Sequence, residues 1–407
     1  MNKHGTNMTE KVPVDIGTRS EVQAFENRRI PHDSYSIAFN RAWSLATRGH
    51  SSRVVIVTGP TGVGKSTLGT SLLKYVQRAH EADLAANSSL IPAVLVKTIA
   101  HHGRSFSWKD FYVRSLEQLR DPLVERKVWS PMQMTLLGPE IRGRTGADTI
   151  DIDVLRRSLE SATAHRKTRI MIVDEAHHML CGDPRKLGDQ FETIKSLADT
   201  CNATLILLGT YKLLMIRDYS AQLSRRTQIV HFPPYRIDNA RDLTAFKSVL
   251  TQFAEWLPIP LAADLREDYM YFFLKTAGCV GILHDLLRDA LCEAIQDTSR
   301  KIARTMVDRV AQTNKAIETI LEEEALGAVE LEDTPLNEVR AMVGKQPREI
   351  VAERMRRIYG IPADAPIAVP GGAEAAGPKA TGKRALPPGQ RLPIRDRVAG
   401  PTRGSIL

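Results

Sequence analysis

The sequence predicts an α/β fold: a parallel β-sheet with helices on both faces, then a small all-helical lid subdomain, and finally a disordered C-terminal tail. Before residue 264, short apolar runs alternate with longer amphipathic stretches, as expected when helices connect parallel strands. Strand signals vanish between Asp264 and Glu323, where apolar residues recur at helical spacing. The last 47 residues contain 8 Pro and 7 Gly without any periodicity, which predicts disorder.

The five predicted strands and the domain boundaries follow from these patterns. The strands are Arg53–Thr58, Ala93–Lys97, Arg169–Val173, Leu205–Leu208 and Ile229–Phe232. The predicted domains are an N-terminal extension (1–30), an α/β core (31–240), a helical lid subdomain (241–327), short peripheral helices (328–360) and a basic tail rich in Pro, Gly and Ala (361–407).

Length and composition exclude several classes of protein. A chain of 407 residues exceeds the usual size of a single hydrophobic core, so more than one folded unit is expected. With 43% hydrophobic and 25% charged residues, the chain is not wholly disordered, collagen-like or coiled-coil. It contains no apolar run of the roughly 18 to 20 residues that cross a bilayer and no apolar N-terminal stretch, which predicts a cytoplasmic protein without membrane contact.

Cysteine usage and net charge say little about partners. The four cysteines are scattered without a C-x-x-C pair, so neither a disulfide framework nor a zinc module is indicated. The net charge of +9 comes from 56 basic and 47 acidic residues, and so small a surplus is weak evidence for nucleic-acid binding.

The first predicted strand runs into a phosphate-loop motif, G-x-x-x-x-G-K-[ST], which opens a helix. Glycines allow the backbone N–H groups to surround phosphate oxygens, Lys65 adds a positive charge at the outer phosphates, and Ser66 would hold magnesium. ATP and Mg²⁺ are therefore the predicted ligands. The predicted nucleotide-binding residues in this loop are Gly59, Pro60, Thr61, Gly62, Val63, Gly64, Lys65, Ser66 and Thr67.

Two acidic residues end the third predicted strand, where open α/β sheets place their ligands. Asp174 is predicted to order the magnesium shell, and Glu175 to polarise a water that attacks the terminal phosphate. His177 and His178 follow, but adjacent residues on a helix do not face one metal, so a structural or DNA-proximal role is favoured for them.

A hydroxyl and an arginine pair complete the candidate catalytic set. Thr210 ends the strand TLILLGT, where it would sense the terminal phosphate. Arg225 and Arg226 stand directly before the last strand, and an arginine held there can reach the nucleotide of a neighbouring subunit as an arginine finger.

In order and topology, GPTGVGKST, IVDEAH, LLGT and LSRRT followed by a helical segment resemble the P-loop AAA+ ATPases. More narrowly, GPTGVGKSTL, SWKDFY, LLGTYKL and TAGCVGILHDLLRDAL resemble the transposition regulators of the TnsC and TniB group, relatives of MuB. The resemblance covers roughly residues 30 to 325, and the SWKDFY and GILHDLL segments carry its narrower part.

This resemblance implies an ATP hydrolase that forms homo-oligomeric rings or filaments on double-stranded DNA. Such a protein recruits and activates a transposase and links it to a target-selection protein. It also implies that Arg226, three residues after Leu223, is the preferred finger, with Arg225 in reserve. One departure stands out. Where many AAA+ proteins carry a second-sensor arginine, this chain has Gly278-Cys-Val-Gly281, and His284 or Arg288 are the candidate substitutes.

Binding to the DNA backbone requires several cations spaced to meet phosphates. The candidates are Arg104, Lys109, Arg142 and Arg144, with His101 beside them. For the basic tail three roles stay open: an inert appendage, a nonspecific DNA arm or a docking peptide for the transposase.

Three other functions compete with transposition. A replication initiator or helicase loader would share the fold, and a partner helicase would identify it. A signalling NTPase would need an effector domain or repeat array, and none is visible after the lid. A helicase of the DEAH type needs a second motor domain, for which one phosphate loop and 407 residues leave no evident room.

Overall fold

The computed structural model describes most of the chain between residues 16 and 353. The described residues are 16–48, 54–100, 105–122, 124, 152–182, 187–219, 224–225, 227–347, 349–350 and 352–353. Of the predicted features, His101, Arg104, Arg142, Arg144, Arg226 and the tail at 361–407 lie outside them.

Five parallel strands form one sheet, which confirms the predicted α/β fold class. The sheet order is β2-β3-β4-β1-β5, so β4 lies between β1 and β3. The strands begin and end within two residues of their predicted bounds. They are β1 (Val54–Thr58), β2 (Ala93–Lys97), β3 (Ile170–Asp174), β4 (Thr204–Gly209) and β5 (Thr227–His231).

Helices cover both faces of the sheet and make up the C-terminal part of the described chain. Within the described ranges they are α1 (Ile16–Glu26), α2 (Asp33–Thr47), α3 (Lys65–Ala79), α4 (Glu81–Ala86), α5 (Trp108–Gln118), α6 (Ile152–Arg166), α7 (Leu187–Thr200), α8 (Leu214–Tyr219), α9 (Ala240–Trp256), α10 (Ala263–Glu267), α11 (Tyr269–Thr276), α12 (Val280–Gln296), α13 (Arg304–Val310), α14 (Asn314–Leu331) and α15 (Leu336–Val343).

Alternating side chains of β1 pack into two separate cores. Val54 and Ile56 of β1 pack with α5, α6 and α7 on one face, and Val55 and Val57 pack with α2 and α3 on the other. Successive side chains of a strand point to opposite faces, and all four are buried, so the sheet is covered on both sides. This is why its strands read as unbroken apolar runs.

A third core lies in the helical region that follows β5. Helices α9, α11, α12 and α13 contribute Phe246, Phe272, Leu287 and Val307, all fully buried. Phe25 of α1 joins the same core, although it lies more than two hundred residues earlier in the chain. The N-terminal segment is therefore packed onto the helical region.

By compactness the described residues fall into two units, one ending at Glu332 and one beginning at Asp333. The predicted boundaries at residues 30, 240, 327 and 360 stay predictions. Among the described residues, no single helix is long and apolar enough to cross a membrane, and α11 and α12 meet that test only as a pair bent by 109°.

Candidate nucleotide-binding site

The predicted phosphate loop connects β1 to the N-terminus of α3. Gly62 and Gly64 adopt φ values of 80° and 110°, a region that side chains with a Cβ avoid. Gly64 is the residue that precedes the first turn of α3 and closes the loop. The loop and the helix N-terminus therefore present backbone N–H groups to the space above the sheet, which is the arrangement that binds phosphate.

Lys65 lies against the loop that precedes it. Its Nζ donates hydrogen bonds to the carbonyl oxygens of Gly59 and Pro60, both at 2.8 Å. Burial lowers the pKa of the Lys65 ammonium, and the carboxylates of Glu175 and Glu323 oppose that shift. Because a desolvated cation gains from added negative charge, the surroundings of Lys65 suit the phosphates of a nucleotide.

The two acidic residues at the end of β3, Asp174 and Glu175, have different surroundings. Asp174 is only 6% exposed, and its Oδ1 accepts a hydrogen bond from the backbone N–H of Glu175 at 3.0 Å. Glu175 has a left-handed backbone with φ 55°, which turns the chain out of the strand. The hydroxyl of Thr98 holds this turn by donating to the carbonyl oxygens of Asp174 (3.0 Å) and Glu175 (2.7 Å). A strained backbone held by such contacts is common where function fixes a side chain.

The two histidines after Glu175 differ from the expectation. The segment Ala176–Leu180 is a 3₁₀ turn rather than an α-helix, and the rings of His177 and His178 lie 4.2 Å apart. Ligand-type atoms of both histidines and of Glu175 lie within 4.8 Å of one another, so the helical reason given against a shared metal was wrong. His177 Nδ1 is also 3.4 Å from Glu175 Oε2.

Thr210 follows β4, and the strand order places it between the phosphate loop and the acidic pair. Its Oγ1 is buried and, among the described side chains, is one of four such polar atoms without a hydrogen-bond partner. Buried hydroxyls are rarely left unpaired, and Thr210 is one of the residues that line the cavity beside the loop. A phosphate oxygen or an attacking water would supply the missing partner, so the residues fit a bound nucleotide.

These groups open onto one cavity of about 630 Å³. That volume lies in the range of roughly 300 to 1,000 Å³ typical of small-molecule sites. Of the residues predicted to act on the nucleotide, those in the lining are Thr61, Gly62, Val63, Gly64, Lys65, Ser66, Thr67, Glu175 and Thr210. Gly59, Pro60 and Asp174 are not among the lining residues.

Most of the wall opposite the phosphate loop was missed by sequence reasoning, which singled out only His284 and the segment Gly278–Gly281. It combines the segment before α2 with side chains of α9 and α12. His32 is buried here, and burial lowers its pKa to about 4, so the ring is neutral near pH 7. Its Nδ1 lies 3.1 Å from the hydroxyl of Tyr235. With Ile30, Tyr35 and Phe253 it forms an apolar, ring-lined end that suits a flat base.

Steric crowding explains the glycine at position 281. A Cβ built on Gly281, at the start of α12, would lie 2.3 Å from the carbonyl oxygen of Gly62 in the phosphate loop. The helical region therefore touches the loop backbone to backbone, and no side chain fits at this position.

The two proposed substitutes differ in position. His284 lines the cavity and stacks on Phe25, with ring centroids 5.1 Å apart. Arg288 is held in ion pairs with Asp285 (3.1 Å) and Asp289 (2.8 Å) and does not line the cavity. Arg29, which sequence reasoning did not single out, lines the cavity with its Nη1 3.5 Å from His284 Nε2.

Two other predicted residues are described. Arg225 is exposed and lies shortly before β5. Lys109 lies in the first turn of α5 and is half-buried. Neither belongs to the lining of the cavity.

Comparison with known proteins agrees with the fold. Residues 48–216 match the family model described as an AAA domain. The parallel sheet, the phosphate loop and the helical region that follows define a P-loop AAA+ fold. No curated protein matches the chain significantly.

Several solved structures are similar to this chain. The Aeropyrum pernix ORC2 protein has 16% identity and a TM-score of 0.42 over 87% of this chain and 78% of its own. Cdc6p from Pyrobaculum aerophilum has 14% identity and a TM-score of 0.42 over 69% and 67%. Domain III of the replication initiation protein DnaA from Thermotoga maritima has 13% identity and a TM-score of 0.38 over 77% and 99%.

Proposed function

We propose that this protein binds ATP with Mg²⁺ and hydrolyses it, and that it uses this cycle to assemble on double-stranded DNA and regulate transposition. The observation that supports hydrolysis is the shared cavity, in which Lys65, Ser66, Glu175 and Thr210 come from three separate strand ends. A cation for the phosphates, a polarising carboxylate and an unpaired hydroxyl are then in one place.

Each group has a chemical task. Loop N–H groups and Lys65 bind the phosphates, while Ser66 and Asp174 would hold the magnesium ion. Magnesium, when bound, supplies positive charge that offsets the charge of the phosphates. Glu175 accepts a hydrogen bond from the water that attacks the terminal phosphorus, and Thr210 donates to a phosphate oxygen.

Exchange of Glu175 for Gln tests hydrolysis. The variant should bind ATP but turn it over about a hundredfold more slowly or worse, because the amide accepts no proton. As a consequence, its ATP-bound assemblies on DNA should persist longer. The measurements are phosphate release and dissociation from labelled duplex. Glu192→Gln, at an exposed site on α7, is the matched control. Equal ATP turnover in both variants would contradict the catalytic role of Glu175.

For DNA we propose backbone contact by Arg104, Lys109, Arg142 and Arg144 within a ring or filament of identical subunits. In that oligomer Arg226, with Arg225 in reserve, completes the site of the neighbouring subunit. A variant with Arg104, Arg142 and Arg144 all changed to Glu should bind duplex less tightly. Its plot of log affinity against log salt should be shallower by about 0.9 for each phosphate that the variant no longer neutralises.

A control for that variant carries the same charge change elsewhere. Arg300, Lys301 and Lys315 are exposed, and changing all three to Glu should leave the salt slope as in the unmodified protein. Full duplex binding by the Arg104, Arg142 and Arg144 variant would reject the DNA assignment but leave the ATP site intact.

The proposal of transposition rather than replication rests on the SWKDFY and GILHDLL segments. The proposed partners are a transposase and a target-selection protein, in the cytoplasm. An integrase-like transposase encoded beside this gene, and its ATP-dependent binding to the chain, would support the proposal. Capture of a replicative helicase instead would identify an initiator or helicase loader.

A further inference from the structure

Helix α14 is rich in acidic residues. Its sequence is NKAIETILEEEALGAVEL, with three consecutive glutamates and no basic residue after Lys315. The inner face holds Ile317, Glu323, Glu324 and Gly327, which are buried or half-buried. Glu318, Glu322 and Leu326 on the other side are exposed. The helix is therefore seated on the molecule by one face, and that face is acidic.

Helix α14 packs on the rest of the molecule through a contact between Gly327 and Tyr211, which we call the seat. A Cβ built on Gly327 would lie 2.1 Å from Cγ of the Tyr211 ring, so the helix backbone rests directly on the ring. Tyr211 is buried, and its hydroxyl lies 2.9 Å from Nε2 of His231 on β5. A second contact, from Arg217 Nη2 to the carbonyl oxygen of Glu330 at 3.1 Å, holds the end of the helix.

This seat adjoins the proposed catalytic groups. Tyr211 directly follows Thr210, a residue of the cavity lining whose buried hydroxyl is unpaired. Helix α14 therefore contacts the residue next to Thr210, the side chain that would contact the terminal phosphate. Contact between α14 and this loop joins the end of the helical region to the sheet.

The electrostatics agree with this placement. Burial lowers the pKa of Lys65, and Glu323 is near enough, after Glu175, to oppose the shift. Burial raises the pKa of Tyr211, and Glu324 and Glu323 raise it further. Glu323 thus adds negative potential at Lys65, where phosphate charge would bind, and both glutamates add it at Tyr211.

We propose that α14 is an acidic strap that restrains the nucleotide site, with Glu323 and Glu324 opposing the terminal phosphate and Gly327 holding the strap on Tyr211. The inference rests on the proposed function, since it concerns regulation of that same site. Like charges in one site repel. ATP binding therefore either includes the cost of repulsion between its phosphates and the strap, or requires the strap to move away. The strap therefore lowers the affinity for a triphosphate more than for a diphosphate. A partner that lifts α14 would raise ATP affinity.

Neutralising the strap is the direct experiment. In the full chain, Glu323→Gln/Glu324→Gln should lower the Kd for ATP by about three- to tenfold at low salt and the Kd for ADP by less, and the difference should shrink as salt screens the charges. Glu318→Gln/Glu322→Gln, with the same change of charge on the exposed side, should bind like the unmodified protein. Glu323→Asp/Glu324→Asp keeps the charge and should restore the original affinity.

The seat is tested separately with Gly327→Ala. Alanine is a better helix former than glycine, so the helix itself is not weakened, but its Cβ does not fit against Tyr211. ATP affinity should rise as in the neutralised variant.

The outcomes separate the two proposals. If the unmodified protein binds ATP and the strap variants bind it equally or less tightly, the strap is rejected and the nucleotide site stands. If the unmodified, folded protein binds neither ATP nor ADP, the proposed function fails and the strap fails with it.

Discussion

The two walls of the cavity differ in whether backbone or side chains form them. The phosphate wall is mainly backbone, a run of consecutive residues from Thr61 to Thr67, to which Lys65 adds one charge. The facing wall is mainly side chains, including His32, Phe253 and His284, which come from three distant segments. Recognition of phosphate charge needs closely directed N–H groups, which one turn provides, whereas a flat base needs only shape and an apolar surface. The two walls should therefore respond to substitution in different ways.

The largest effect is expected from the phosphate wall. Replacing Lys65 with Ala removes the only side-chain charge of the loop and should weaken ATP binding by about a hundredfold, the equivalent of about 2.7 kcal/mol. Lys74→Ala, an exposed lysine of the same helix α3, is the control and should bind as before. Calorimetric titration measures both. A weakening below threefold for Lys65→Ala would show that charge recognition does not dominate this wall.

A middle-sized effect is expected where the walls meet. Gly281→Ala should weaken nucleotide binding by about tenfold, because its Cβ would push α12 away from the carbonyl of Gly62. Alanine also favours the helix by about 1 kcal/mol, so thermal stability should change less than affinity. Cys292→Ala, near the other end of α12, is the control. Unchanged affinity in Gly281→Ala would mean that the contact between the walls is not needed for binding.

The smallest effect concerns the facing wall and pH. Burial holds the pKa of His32 at about 4, below its ordinary value of 6.5, so the folded state favours the neutral ring. The stability from this preference is complete above pH 6.5 and is lost as the pH falls toward 4. Between pH 7 and 5.5 the decrease should be about 1 kcal/mol.

His32→Asn isolates that contribution. Burial also lowers the pKa of His177 and of His231, so the whole protein loses stability in acid for several reasons. The difference in unfolding free energy between pH 7 and 5.5 should be smaller in the variant by about 1 kcal/mol, measured by urea denaturation. Equal pH dependence in both proteins would contradict a buried, neutral His32.

Prediction from sequence succeeded where the information was local. The central strands β1, β3 and β4 were found because they are buried on both faces and read as apolar runs, and the loop was found because its residues are consecutive. Most of the facing wall was missed because Ile30, His32 and Phe253 show no motif in the sequence and come together only when the chain folds. The α-helix expected at His177 and His178 was wrong because nothing in the motif distinguishes a 3₁₀ turn from an α-helix.

The sequence alone therefore determined the parallel sheet, the phosphate loop and the acids at the end of β3, since these depend on neighbouring residues and on strand periodicity. Only the tertiary structure decided the order of the strands, the unpaired hydroxyl of Thr210 inside the cavity, and the seating of α14 on Tyr211. Those features arise from contacts between residues far apart in the chain, and their free energies depend on how the completed fold excludes water and brings charges together.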